Sequence, residues 1–172
     1  LFLIQPVSVD GHSMDPTLAD GERLIVLRTA KIDRFDIVVA KEKEGNKTKE
    51  IVKRVIGLPG DTITYKDDVL YVNGKKTYLD KYQKAFEDDD LQDIYSYNTL
   101  FQQLAESSDA FTTAKDGSTE FTVKVPKNQY FLLGDDRIVS KDSREVGSFK
   151  KSAIVGEVKF RFWPLSKIGG VN

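Results

Sequence analysis

The sequence predicts a mainly β fold, an antiparallel β-sheet domain with a smaller inserted cap lobe that contains some helix. Short runs of β-branched and aromatic residues recur along the chain, and turn residues bound each run. Asn73-Gly74 lies between two such runs, and this dipeptide favours the two-residue turn of a β-hairpin. Hairpins join neighbouring strands, so the predicted sheet is antiparallel.

The predicted strands follow one another with short connections. Residues 57–61 (Gly-Leu-Pro-Gly-Asp) predict a turn that fixes where the preceding strand ends, and Pro164 ends the last strand. In chain order, the strands are residues 6–12, 22–28, 36–40, 50–56, 62–65, 69–72, 75–78, 121–125, 130–133 and 154–163.

Residues 82–116 break the strand pattern. The acidic run at residues 87–90 predicts a solvated loop because it carries charge and no apolar residue. The spacing of the following residues allows an amphipathic helix: Leu91, Ile94, Tyr95, Asn98, Phe101, Gln102 and Leu104. We therefore predict an inserted lobe at residues 67–120 and a main β domain formed by residues 1–66 and 121–172.

Composition excludes several classes of function. A chain of 172 residues can bury one good core with a smaller lobe. A formal net charge of −1 gives no electrostatic case for nucleic acid. The chain has no cysteine and one histidine, so we predict no disulfide, no zinc site and no other metal or cofactor.

Ser13 is the first candidate for chemistry. It lies in residues 11–18 (Gly-His-Ser-Met-Asp-Pro-Thr-Leu). A serine hydroxyl needs a base to become a good nucleophile, and lysine can replace histidine in that role. His12 is adjacent to Ser13, and neighbours on a strand point to opposite faces, so we predict a packing or solvent-side role for His12. Lys53 is the predicted base, which indicates an amide-cleaving Ser/Lys enzyme.

Lys53 must lose its proton to act as a base. The ordinary pKa of a lysine is about 10.4, and burial among apolar neighbours lowers it. Ile51, Val52, Val55 and Ile56 surround Lys53 in sequence and favour such burial. A pKa of about 8 would need roughly 3 kcal/mol of differential interaction, and activity should then rise on the alkaline side. The alternative is that Lys53 is one of many surface lysines.

A third segment, residues 134–147, places hydroxyls, carboxylates and guanidiniums between two glycines. Together with residues 11–18 and 53–61, it resembles the signature boxes of bacterial type I signal peptidases in their short, Gram-positive-like form. These are membrane-bound serine proteases that remove signal peptides from exported proteins. The order and spacing of the three segments agree over nearly the whole chain.

The resemblance implies a role for individual residues. Ser13 corresponds to the nucleophile, and Lys53 corresponds to the general base. Ser140 would hydrogen-bond the lysine amine and orient it, while Asp142 and Arg144 would form a supporting ion pair. The backbone N–H of Ser13 would donate to the oxyanion that develops on the attacked carbonyl.

Two positions depart from the family pattern. Asp136 stands where the family often has asparagine, which adds a negative charge near the site. Gly11 stands where some members have a serine whose hydroxyl completes the oxyanion hole. Gly11 is therefore only a candidate for the second oxyanion donor, and the sequence leaves that donor open.

The resemblance also implies the substrate, which is the signal peptide of a secretory preprotein. Such peptides are cut after small residues of the Ala-x-Ala type, and shallow apolar pockets would select them. An extended substrate could pair with strand edges by main-chain hydrogen bonds. The predicted substrate-binding residues are Val7, Val9, Asp10, Gly11, His12, Ile51 and Val52. The alternative for Val7 and Ile51 is that they fill a core.

Membrane attachment is a further implication of the resemblance. The longest apolar run near the N-terminus is residues 1–4, whereas a spanning helix needs about 20 apolar residues. We therefore expect a single-pass anchor upstream of this chain, with the catalytic domain on the extracytoplasmic side of the plasma membrane. Five apolar residues either face the lipid bilayer or belong to the core: Phe149, Phe160, Phe162, Trp163 and Leu165.

Two alternative functions remain open. A noncatalytic assembly or binding factor resembling signal peptidases would be expected to lack the serine or the lysine, and both are present. A self-cleaving Ser/Lys regulator would need a DNA-binding segment and an internal cleavage site before the nucleophile. We expect neither in the residues that precede Ser13.

Overall fold

A computed structural model describes residues 3–28, 31–77 and 99–171 of the chain. Their helices are α1 (Thr99–Glu106) and α2 (Ser143–Val146), with 3-10 helices at Lys151–Ala153 and Leu165–Lys167. Their strands are β1 (Ile4–Ser8), β2 (Arg23–Leu27), β3 (Ile37–Glu44), β4 (Lys47–Gly57), β5 (Thr62–Lys66), β6 (Val69–Val72), β7 (Lys75–Lys76), β8 (Glu120–Lys124), β9 (Gln129–Leu133), β10 (Phe149–Lys150), β11 (Ile154–Trp163) and β12 (Gly169–Gly170).

The larger sheet has the order β1-β2-β11-β3-β4-β9-β10, and β12 pairs with β11. Every strand pair in it is antiparallel. The predicted mainly β, antiparallel fold is therefore confirmed. The hairpin of β3 and β4 is longer than predicted, because its charged outer half continues the pairing as far as Glu44 opposite Lys47.

The smaller sheet has the order β7-β6-β5-β8. Its β6–β7 hairpin turns at Asn73 and Gly74, which have φ angles of 53° and 79°. A type I′ turn requires positive φ at both central residues, so the predicted hairpin is confirmed at this dipeptide.

The inserted lobe at residues 67–120 remains a prediction. The smaller sheet runs across both of its boundaries, because β5 pairs with β8 from Thr62 opposite Lys124 to Lys66 opposite Glu120. Helix α1 contains the last part of the predicted amphipathic helix. The acidic run at 87–90 and the predicted helical residues 91–98 lie outside the described residues.

The core lies on both faces of the central strands. Val39 and Val52 pack on one face, in a cluster that also holds Met14 and Leu18. Val38, Ala40 and Val55 pack on the other face. Strand alternation explains this division, since successive side chains point to opposite sides of a sheet. The segment around Ser13 is thus fixed to the core by its own apolar residues.

Candidate active site

Ser13 lies in a turn segment rather than on a strand. The predicted strand at residues 6–12 is wrong in its second half, because β1 ends at Ser8 and the chain bends at Gly11, where φ is 86°. Buried Met14 and Leu18 hold the following turns against the core. The carbonyl of Ser13 accepts a hydrogen bond from the N–H of Asp136 at 2.9 Å.

His12 shares this turn segment, so strand alternation does not decide where its side chain points. Its Nδ1 lies 3.1 Å from Oδ2 of Asp15, which is buried. The imidazole is held by a carboxylate on the wall of the cleft that contains Ser13. His12 therefore has a partner other than Ser13.

Lys53 is buried on β4, and its Nζ donates to Ser140 Oγ at 3.2 Å. Ile51 and Val55 share its face of the strand, and Val38 lies opposite on β3. Val52, by contrast, packs in the other core cluster. Burial lowers the pKa of Lys53 to about 8, against the opposing attraction of Asp142 and Glu42. The expected loss of basicity is present, and its main cause is desolvation.

Asp142 and Arg144 form a buried ion pair beside this amine. Arg144 Nε and Nη2 donate to the two Asp142 oxygens at 2.9 and 3.0 Å. Burial raises the pKa of Asp142, but the charge and hydrogen bonds of Arg144 hold it below its ordinary value. Arg144 Nη2 also donates to the carbonyl of Arg137 at 2.9 Å. The pair keeps the loop that carries Ser140 in a fixed conformation.

Gly134 brings two of the segments together. A Cβ at this position would lie 2.6 Å from the carbonyl oxygen of Ser13 and would collide with the side chain of Ser140. Only glycine fits there, and its N–H donates to Asp142 at 3.1 Å.

Ser13 and Lys53 line one cavity of about 340 Å³. Most of the predicted substrate-binding residues line it too, namely Val9, Asp10, Gly11, His12, Ile51 and Val52. Val7 instead packs against the core cluster of Met14. The Gly11 N–H donates to Asp20 at 2.8 Å and is therefore engaged, so the Ser13 N–H is the remaining candidate for the oxyanion donor.

Sequence reasoning missed a buried ion pair behind this cavity. Arg54 donates to the two Asp135 oxygens at 2.8 Å each, and Asp135 also accepts from the hydroxyl of Thr17 at 2.6 Å. These contacts join all three motif segments. Their only sequence signal was adjacency, since Arg54 follows Lys53 and Asp135 follows Gly134.

Five other cleft residues had no sequence signal, because three lie in the charged part of the β3–β4 hairpin and two occupy positions of segment 134–147 to which the resemblance gives no role. They are Glu42, Lys49, Glu50, Val139 and Lys141. Within the described ranges, no group of three histidine, aspartate or glutamate side chains could hold a metal ion. The groups in this cavity that could take part in chemistry include the hydroxyl of Ser13 and the amine of Lys53.

Comparisons with known proteins identify the family. The family model described as "Signal peptidase, peptidase S26" matches residues 1–163. The chain is 54% identical to a signal peptidase I of Streptococcus pneumoniae (strain ATCC BAA-255 / R6), over 98% of this chain and 87% of that protein. It is 39% identical to a signal peptidase IB of Staphylococcus aureus (strain Mu50 / ATCC 700699), over 96% of this chain and 81% of that protein.

A crystal structure of a signal peptidase I from Enterococcus faecalis V583 is similar to the fold. The TM-score is 0.53 at 31% identity, over 74% of this chain and 97% of that one. The family match covers more than half of the chain, and two relatives exceed 30% identity over almost all of it. The chain therefore belongs to the signal peptidase family, peptidase S26, a family of serine proteases.

Proposed function

We propose that this protein removes N-terminal signal peptides from exported preproteins after small residues, with Ser13 as nucleophile and Lys53 as general base. The observation that carries the proposal is the buried amine of Lys53, whose pKa falls to about 8, in the cavity that Ser13 also lines. A lysine with this pKa is neutral often enough near pH 8 to accept the proton of a serine.

The proposed mechanism has two halves. Ser13 Oγ attacks the scissile carbonyl while Lys53 takes the hydroxyl proton, and the Ser13 N–H donates to the oxyanion. Lys53 then gives that proton to the leaving amine, which is the new N-terminus of the mature protein. In the second half, neutral Lys53 activates a water that hydrolyses the acyl-enzyme ester.

Ser140 supports both halves by accepting a hydrogen bond from the Lys53 amine. This contact sets the direction of the lone pair that receives the proton. The Asp142–Arg144 pair holds the Ser140 loop, and Arg144 offsets part of the effect by which Asp142 raises the pKa of the lysine. A free carboxylate there would instead hold the proton on Lys53.

The cleft supports selection of small residues. Its wall includes apolar Val9, Ile51 and Val52 beside the nucleophile, a lining that suits small apolar side chains. An extended peptide that lies along Ile51 and Val52 would alternate its side chains between the wall and solvent. The first and third residues before the scissile bond would then face the wall.

The test uses a purified preprotein with alanine at those two positions. We expect the wild-type protein to cut it, and N-terminal sequencing should find the mature N-terminus directly after the second alanine. Ser13→Ala and Lys53→Ala should each reduce cleavage by at least about a thousandfold, because the members of such a dyad act as a unit.

Matched controls are Ser118→Ala and Lys127→Ala, whose side chains are exposed and do not line the cleft. Both should cleave like the wild type. Undiminished cleavage by Ser13→Ala or Lys53→Ala would reject the dyad. A wild-type protein that binds the preprotein without cutting it would favour a noncatalytic binding factor.

We further propose that the protein works at the plasma membrane, on its extracytoplasmic side, with a single-pass N-terminal anchor. No helix among the described residues is long and apolar enough to cross a bilayer. Support comes from large apolar side chains that are exposed near the end of β11, namely Phe160, Trp163, Leu165 and Ile168. Phe149 is buried, so for that residue the core alternative is correct, and Phe162 is half-buried.

A further inference from the structure

Asp136 carries a carboxyl group that the proposed mechanism does not use. The residue is fully buried, and neither carboxyl oxygen accepts a well-aligned hydrogen bond from a described residue, although the N–H groups of Ile138 and Val139 lie close enough to lower the pKa of the carboxyl group. Buried polar groups are normally hydrogen-bonded, and a buried charge without a partner is strongly unfavourable. The group therefore needs an explanation in its protonation state or in its function.

The backbone of Asp136 connects the two serines of the site. Its N–H donates to the carbonyl of Ser13 at 2.9 Å, and its carbonyl accepts from the N–H of Ser140 at 2.9 Å. Ser140 in turn accepts from the Lys53 amine. Any displacement of Asp136 thus moves the nucleophile and the contact that orients the base at the same time.

The charges around Asp136 come from two directions. Asp15 lies in the turn segment after Ser13, is buried, and lies against His12 at 3.1 Å. Arg144 acts from α2, but its guanidinium is engaged by Asp142. Burial, and then the negative charge of Asp15, raise the pKa of Asp136 to about 7.

We propose that Asp136 is a positioning residue that works as a neutral carboxylic acid and holds Ser13 and Ser140 in their positions beside Lys53. Loss of its proton puts a second buried negative charge beside Asp15, directly behind the nucleophile. Relief of that repulsion displaces the Ser13 carbonyl and the Ser140 N–H from the Asp136 backbone. This inference rests on the proposed Ser/Lys protease function.

Activity should then depend on the protonation states of two groups, Lys53 and Asp136, which respond to pH in opposite ways. Lys53 must be neutral, which favours higher pH, and its pKa is about 8. Asp136 must also be neutral, which favours lower pH, and its pKa is about 7. The profile of kcat/KM against pH should therefore be bell-shaped with its maximum between these values, and Asp136 should set the alkaline limb.

The experiment compares kcat/KM from pH 6 to 9.5 for the wild type and Asp136→Asn on the alanine-bearing preprotein. Asparagine keeps the size of the side chain and stays neutral. Asp136→Asn should lose the alkaline fall, so that the ratio of kcat/KM at pH 9 to that at pH 7.5 exceeds the wild-type ratio by at least about tenfold. Asp116→Asn is the control, an exposed carboxyl away from the cleft, and should keep the wild-type profile.

Superimposable profiles of the wild type and Asp136→Asn would overturn the inference and leave the proposed function intact. A wild-type protein without cleavage at any pH would instead reject the proposed function. A direct titration covers the case in which Asp136→Asn fails to fold. The carboxyl ¹³C resonance of Asp136 in the wild type should titrate near pH 7, and titration near pH 4 would overturn the inference.

Discussion

At the scale of the residue, two opposing effects set the pKa of the Lys53 amine. Burial against Val38, Ile51 and Val55 lowers the pKa of Lys53, whereas the carboxylate of Asp142 raises it. Desolvation has the largest effect, and the charge of Arg144, which pairs with Asp142, also lowers the pKa of the lysine. Removal of Arg144 would therefore raise the pKa of Lys53.

The same pKa predicts how stability depends on pH. The unfolded chain holds the Lys53 proton up to about pH 10.5 and the folded chain only to about pH 8. Between about pH 8 and pH 10.5 the unfolded state therefore binds more protons than the folded state. The free-energy cost of burying the charged amine is complete below about pH 8 and disappears as the pH rises to about 10.5. Lys53→Met should therefore be more stable than the wild type at pH 7, by roughly 3 kcal/mol at most.

Urea unfolding at pH 7 and at pH 10 measures this difference. The difference in the free energy of unfolding between Lys53→Met and the wild type should be much smaller at pH 10 than at pH 7. Lys127→Met, at an exposed position, should differ little from the wild type at either pH. An advantage that does not change with pH would show that better packing, rather than the buried charge, accounts for it.

At the scale of the element, the end of β9 sets the geometry of the site. Leu132 and Leu133 are buried in core clusters, and the chain then turns at Gly134 against the Ser13 carbonyl. Asp142 caps α2 by accepting from the Arg144 N–H and also accepts from the Gly134 N–H. The carboxylate of Asp142 thus joins the end of β9 to the start of α2.

Gly134→Ala tests this junction. The added methyl group would collide with Ser140 and with the Ser13 carbonyl, so the nucleophile and the lysine contact should both shift. We expect kcat/KM to fall by about a hundredfold or more, since misplacement by about 1 Å has effects of that size. Cleavage assays measure the loss of activity, and circular dichroism shows whether the variant still folds.

Gly170→Ala is the control for this substitution. A Cβ at Gly170 would lie 3.9 Å from its nearest neighbour, the carbonyl oxygen of Lys159. Gly170 is on β12, which pairs with β11 in the larger sheet. The variant should keep wild-type cleavage. Full activity of Gly134→Ala would mean that the close approach is not needed for the reaction.

At the scale of the whole molecule, buried guanidiniums connect the site to both sheets. Arg54 on β4 donates to Asp135. Arg137 Nη1 donates to the hydroxyls of Tyr65, on β5 of the smaller sheet, and Thr112 at 3.1 Å each. The third motif segment is therefore supported from the larger sheet on one side and from the smaller sheet on the other.

The exposed apolar side chains near the end of β11 predict binding to lipid. Trp163 is 47% exposed and Leu165 is 69% exposed, and such residues favour a bilayer interface. The double variant Trp163→Ser with Leu165→Ser should reduce co-sedimentation with phosphatidylglycerol and phosphatidylcholine vesicles by about tenfold. The cleavage of a short soluble peptide should change little.

Leu104→Ser is the control for vesicle binding, because Leu104 is an exposed apolar residue on α1. It should bind vesicles like the wild type. Equal binding by the double variant would mean that this surface does not contact lipid.

The sequence by itself determined what depends on neighbouring residues. Strand alternation and turn chemistry fixed most of the strands and the hairpin at Asn73 and Gly74. The motif segments indicated Ser13 and Lys53 because residue type and order along the chain carry that information. Apolar neighbours were also enough to predict a lysine of low basicity.

Only the tertiary structure decided what depends on residues far apart in the chain. The turn at Gly11, set by Met14 and Leu18 in the core, replaced the second half of the predicted strand and gave His12 the partner Asp15. The burial of the Asp136 carboxyl group near the charge of Asp15 depends on groups brought together from distant segments. Burial and electrostatic interaction act through space, and spacing along the chain does not record them.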